Sequence, residues 1–224
     1  MATSGTTSFN ILIDDVIEEA YERCGVKTNS GNDLRTARRS LNLMFSEWGN
    51  RGINLWKVKS KTETLVNGQV TYDTPTDCND VLEAVVTVTG GTQQSLTKIS
   101  RSEYIAIPNK TQAGTPSQYY VDRQINPKIN LYLAPDTSAV TNIFYYYLAR
   151  IEDAGAYSNT TDLPFRFFPC MASGLAFYLA QKYAPERVNA LKLYYEDELK
   201  RALDEDGQRT SVYISPNVYY PQGS

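Results

Sequence analysis

The sequence predicts an α+β protein: a helical bundle formed by the N- and C-terminal parts, an inserted antiparallel β-sandwich or barrel, and an extended C-terminal arm. Three observations predict it. Apolar residues recur at helical spacing near both ends of the chain. Between residues 58 and 159 they alternate in short runs broken by turn dipeptides. The last stretch, 208–224, is rich in tyrosine and β-branched residues but has no charge after Arg209. The expected boundaries are 1–57 with 160–207 for the bundle, 58–159 for the β region and 208–224 for the arm.

The first helix is expected over 11–24, capped by Asn10. Ile13, Val16, Ile17, Ala20, Tyr21 and Cys24 form one stripe, and Gly25 is placed to end it. Asp14, Asp15, Glu18, Glu19 and Glu22 cover the other face, which reads as solvated. The second helix is expected over 33–48. Leu34, Ala37, Leu41, Met44, Phe45 and Trp48 are its apolar stripe, and Arg35, Arg38 and Arg39 lie opposite. Those arginines suit contact with phosphate or with an acidic partner subunit.

Alternation begins at Trp56. Asn67–Gly68 predicts a hairpin with a return strand through Val70 and Tyr72. Val81–Thr89 reads as a strand ended by Gly90–Gly91, with Ser95–Ile99 as its partner. Ser100 and Glu103 have capping-box spacing for a short helix over 101–107. Strands follow at 118–123, 129–134 and 141–149. In the last of these, Tyr145 and Tyr147 face one side and Tyr146 the other. Helical spacing returns after Thr161, with a start at Pro164 or at Pro169. Ala172, Ala176 and Ala180 make a ridge that lets another helix come close. Pro185 opens the last helix, 185–206, which Gly207 ends.

Composition narrows the chemistry. The 224 residues are enough to bury roughly 70 % of the unfolded surface without staples. Net charge is −3, which disfavours a generally basic nucleic-acid surface. Residues 152–224 hold ten acids against seven bases and account for the whole imbalance. Histidine is absent, so a Ser–His–Asp or Cys–His site is excluded and the commonest metal ligand is missing. The three cysteines, Cys24, Cys78 and Cys170, have no metal-ligand spacing and read as small buried thiols in a reducing compartment. No phosphate-binding glycine loop and no nucleophile elbow occurs. No cofactor or metal is expected. No secretory leader or membrane span is expected either, because Met1–Ser8 is polar and no long apolar run exists. The seventeen tyrosines offer large contact area with a polar tip, which suits interfaces as well as sheet packing.

The stretch Ala37-Arg38-Arg39-Ser40-Leu41-Asn42-Leu43-Met44, continuing to Trp48 and Arg51-Gly52-Ile53-Asn54-Leu55-Trp56, resembles the second helix of the head-to-tail adaptors (connector or neck proteins) of short-tailed bacteriophages. Tyr72-Asp73-Thr74-Pro75 with Asp77 is similar to the strand end that follows there. Gly114-Thr115-Pro116-Ser117-Gln118-Tyr119-Tyr120 resembles their central β region. Leu163-Pro164-Phe165-Arg166-Phe167 and Gly174-Leu175-Ala176-Phe177-Tyr178-Leu179-Ala180 resemble their returning helix. Residues 8–210 are covered in order.

The resemblance implies a structural, non-enzymatic virion protein of the neck or tail, made in the host cytoplasm. It implies a ring, typically of twelve subunits, that docks under the portal protein, receives tail nozzle or tail fibre proteins, and surrounds a channel for double-stranded DNA without sequence-specific binding. Membranes play no part. On that reading Val212, Tyr213, Ile214, Val218, Tyr219 and Tyr220 of the arm meet the portal or a neighbouring subunit. Arg35, Arg38 and Arg39 form a basic contact face, and the acidic run Glu196, Glu198, Asp204, Glu205 and Asp206 faces the channel. Two other readings stand beside it: a carbohydrate- or receptor-binding β module of a phage tail, using the tyrosines, and a carboxylate-dependent hydrolase.

Overall fold

The structure, a computed structural model, describes residues 4–7, 9–27, 31–51 and 55–207. The expected arm, 208–224, lies outside the described residues. Helices at both ends of the chain flank a β region, so the α+β class expected from the sequence is the one found.

The helical part consists of α1 (Ile13–Cys24), α2 (Gly31–Asn50), a six-residue α3 (Arg101–Ala106) that belongs to the β region, α4 (Phe168–Tyr183) and α5 (Val188–Asp206). The apolar stripes of α1 and α2 are the predicted ones and are buried, except that Leu34 at the start of α2 is only partly so. α1 starts later than expected. Asn10 does not cap it; Leu12 holds the cap position, and the Leu12 N–H donates to Asp15 Oδ2 at 3.1 Å. A carboxylate in the first turn thus meets an orphan amide, as helix ends require. The two candidate starts of the returning helix are both used. A single 3-10 turn, Phe165–Phe167, follows Pro164, and α4 begins at Phe168 with Pro169 in its first turn, where no amide is missed.

α4 is the centre of the bundle. Its residues from Cys170 to Ala176 are all buried, and α1, α2 and α5 pack around it. Close approach depends on Gly174. A β-carbon there would stand 2.5 Å from Met44 Sδ and 2.8 Å from the Tyr195 ring. One core joins the stripes of α1 and α2 to Leu163, Phe167, Leu175, Leu179, Leu191, Tyr195 and Leu199.

The β region has its own core. β1 (Val58–Thr64), β10 (Val140–Ala149), β3 (Cys78–Val88) and β4 (Gln93–Ser95) form one sheet in that order. β2 (Thr71–Asp73), β8 (Lys128–Tyr132), β7 (Gln118–Asp122) and β5 (Thr97–Lys98) form the second. β6 (Ala113–Gly114) and β9 (Ala134–Pro135) add a short parallel pair. Val81, Val86, Ile143, Tyr145 and Tyr147 from the first sheet share a core with Tyr72, Tyr119, Ile129 and Leu131 from the second. The two sheets are therefore a sandwich, and the Tyr119 hydroxyl donates across it to Leu82 O at 2.9 Å.

Two local expectations are corrected. Asn67–Gly68 makes a turn, with Gln69 N–H donating to Val66 O at 3.1 Å and Gly68 at φ 73°, but not a hairpin. β1 pairs with β10, and β2 pairs with β8 in the other sheet. The chain crosses the sandwich here because Leu65 and Tyr72, on either side of the turn, both enter the core. Likewise Ser95–Ile99 is not one strand. β4 pairs with β3, and then β5 changes sheet to run parallel to β7. Buried Leu96 is the pivot between them. The capping box of Ser100 and Glu103 forms as expected. In β10, Tyr145 and Tyr147 are 1 % and 6 % exposed and Tyr146 is 44 % exposed, the predicted alternation.

Candidate assembly surfaces

Three polar seams hold the bundle in shape and decide which charges are left outside. The first lies between α2 and α5. Trp48 Nε1 donates to the Tyr195 hydroxyl at 2.7 Å, and that hydroxyl donates to Glu47 Oε2 at 3.1 Å. Burial pushes the Tyr195 phenol far above its usual range, so it keeps the proton it donates. Arg51 closes the seam. It pairs with Glu47 and makes a two-pronged contact with Glu196 at 2.9 and 3.1 Å, which holds the Glu196 carboxyl below its usual pKa.

The second seam crosses the middle of the bundle. Arg23 of α1 donates to Ser173 Oγ of α4 at 2.6 Å, and Ser173 in turn meets Glu198 of α5. The neighbouring Cys170 thiol is pushed up to about 12 by burial, with the Glu198 charge adding to it. The third seam ties the bundle to the start of the β region. Asp206 is 7 % exposed; it accepts from the Leu55 N–H at 2.9 Å and pairs with Arg166. Lys57, 3 % exposed, pairs with Asp162.

These seams redistribute the acidic run expected to face a channel. Glu196, Glu198 and Asp206 are engaged with Arg51, Ser173 and Arg166 respectively, while Asp204 and Glu205 lie on the surface. Sequence spacing does not separate the two groups, because the partners come from the residue after α2, from α4 and from the turn before α4. The basic face expected on α2 is brought together. Arg35, Arg38 and Arg39 line a groove of about 440 Å3 with Asn42 and the exposed Leu43. Arg38 is positioned by Gly155 O at 3.3 Å and by the Tyr157 ring. The six arm residues, Val212, Tyr213, Ile214, Val218, Tyr219 and Tyr220, lie outside the described residues.

One surface was missed by sequence reasoning. A groove of about 560 Å3 runs between α1 and α4, lined by Phe9, Ile11, Val16, Phe165 and Phe168, with Asp15, Glu19 and Arg23 on its edge. Phe9 and Phe165 are 65 % and 60 % exposed, and their rings meet at 5.7 Å. The signal available in the sequence was Phe165, which stands off the buried stripe of the helix that follows. The tyrosines divide differently: Tyr21, Tyr72, Tyr119, Tyr145, Tyr147 and Tyr195 are core residues. Among the described residues no cluster of metal-binding side chains occurs, and no helix is long and apolar enough to cross a membrane.

The structure is thus a helical bundle with a β-sandwich insert, held by internal ion pairs and carrying oppositely charged outer helix faces. The family model for the SU10 adaptor protein matches residues 10–219, and the chain belongs to that family. It is a phage adaptor protein, a structural component of the virion. No curated protein matches the chain significantly.

Proposed function

We propose that this chain is the repeating subunit of a ring that joins the portal to the tail of a short-tailed phage and surrounds the DNA channel. The observation that carries the reading is the extent of the adaptor match, 10–219, which runs through both helical regions and the whole sandwich. Charge supports it. With a net charge of −3 and Asp204, Glu205 and the outer acids of α1 on the surface, the chain repels phosphate more than it holds it. A channel that lets DNA slide needs that property. The proposed partners are further copies of this chain, the portal protein and tail proteins, and the proposed copy number is twelve. Residues 208–224 follow Gly207, which is exposed, and are proposed to reach the portal or the next subunit.

Mass photometry of the purified protein, alone and mixed with the portal ring of the same virus, tests this. A shift to a portal-plus-ring mass supports the reading and counts the subunits. A protein that stays monomeric in every mixture overturns it, and glycan binding by the exposed aromatic residues of the sandwich becomes the reading to test next.

A further inference from the structure

We infer that the outer face of α2 docks into the α1/α4 groove of a second copy of this chain, so that each protomer uses two different faces. The inference rests on the ring reading and names the contact that would build it.

The two faces are opposite in charge, and each carries exposed apolar residues. On α2, Arg35, Arg39 and Leu43 follow one another at four-residue spacing and form a single outward stripe. Leu43 is 58 % exposed, an apolar knob at the end of two cations. Arg35 and Arg39 have no ion-pair partner among the described residues, and the next acid at that spacing, Glu47, is taken by Arg51. Across the molecule, the α1/α4 groove offers the converse. Its floor is apolar, built from Phe9, Val16, Phe165 and Phe168, and Asp15, Glu19 and Arg23 edge it. Glu18 and Glu22 are exposed on the same helix and have no basic partner among the described residues. Arg23, the single base in α1, is already committed to Glu19 and Ser173.

Lengths also agree. Arg35 to Leu43 spans about 12 Å of helix, and Asp15 to Glu22 about 10 Å. A leucine knob in the groove would cover the two exposed phenylalanines, and the arginines would lie along the acids. Pairing like with like would set cations on cations or acids on acids, which opposes association. The contact is therefore between unlike faces. Such a contact repeats from copy to copy and closes into a ring when the rotation allows. DNA is the competing occupant for the arginines, but the α1/α4 groove, whose single base Arg23 is held by Glu19 and Ser173, gives DNA no second anchor.

The test is charge reversal read by mass photometry, with circular dichroism as the fold control. One variant carries Arg35→Glu and Arg39→Glu; the other carries Glu19→Lys and Glu22→Lys. Each alone should lose association by roughly tenfold or more, because its altered face now repels the native one. Mixed together they should assemble again, since each variant's reversed face meets its complement on the other. Leu43→Ser should weaken assembly without touching charge. Folded variants that assemble like the native chain, or a mixture that shows no rescue, overturn the inference. So does a variant that forms normal rings and loses only portal or DNA binding, which assigns the face to that partner. If the native chain does not assemble even on the portal, the ring reading itself has failed.

Discussion

The Tyr195 hydroxyl is the most exacting test of how the bundle is held. It is buried with its ring, accepts from Trp48 Nε1 at 2.7 Å and donates to Glu47 at 3.1 Å. Tyr195→Phe removes one oxygen and leaves the ring, which stacks on Phe177 at 6.0 Å, in place. Glu47 tolerates the change, because its carboxylate is 34 % exposed and keeps Arg51. The Trp48 N–H does not, because Trp48 is 3 % exposed and has no other acceptor. The loss is the desolvation of one buried donor, about 1–3 kcal/mol. For a domain of this size that lowers Tm by roughly 2–4 °C per kcal/mol. Urea unfolding followed by tryptophan fluorescence and circular dichroism measures it. The cycle is completed by Trp48→Phe and the double variant. Once the indole N–H is gone, removing the hydroxyl orphans nothing, so the double variant should be more stable than additivity predicts by about 1 kcal/mol. An unchanged midpoint for Tyr195→Phe, or strict additivity in the cycle, would refute the reasoning.

Three further outcomes follow from the same geometry. Gly174→Ala gains about 1 kcal/mol of helix propensity but sets a β-carbon 2.8 Å from a ring that Trp48 and Glu47 hold still. Overpacking of about 1–3 kcal/mol should outweigh the gain, and Gly174→Val should be worse, so a rise in Tm for either contradicts the packing. Asp162→Asn strips the counter-charge from Lys57, which is 3 % exposed, and should destabilise by about 3 kcal/mol in chemical denaturation, where a surface pair would give under 1. Alkali should destabilise the fold before it ionises the folded state. An unfolded thiol titrates near about 8.5 and an unfolded phenol near about 10. Burial pushes Cys170 and Tyr119 up to about 12 in the folded chain. Between those values the unfolded chain has released the proton and the folded chain has not. Stability is thus fully present below the unfolded pKa and falls as pH rises, by up to about 1.4 kcal/mol per pH unit and group. Cys170→Ala should make the decline between about pH 8.5 and 10 shallower without abolishing it, because burial also raises the Cys24 and Cys78 thiols; a slope that the substitution leaves unchanged is the contrary result.

The helices were legible because their information is local. The stripes of α1 and α2 repeat every three or four residues, and each contains enough apolar area to define a face by itself. The alternation of Tyr145, Tyr146 and Tyr147 was legible for the same reason, with period two. Strand pairing was not. Asn67–Gly68 promises a hairpin to any reading confined to its neighbours, yet β1 finds its partner about eighty positions away in β10. The choice between a hairpin and a crossing is made by which arrangement buries both Leu65 and Tyr72.

The surfaces divide along the same line. That Arg35, Arg38 and Arg39 share an outward helix face, and that the acids of α1 do so too, is settled by spacing alone, because a helix sorts its side chains every turn. Which charges remain free is settled only by the fold. Glu196 and Asp206 look as available in the sequence as Asp204, and lose that availability to Arg51 and Arg166, contributed from distant segments. The apolar groove beside α1 is a property of no single element. Phe9 and Phe165 come from opposite ends of the chain, and only packing α4 against α1 sets their rings together.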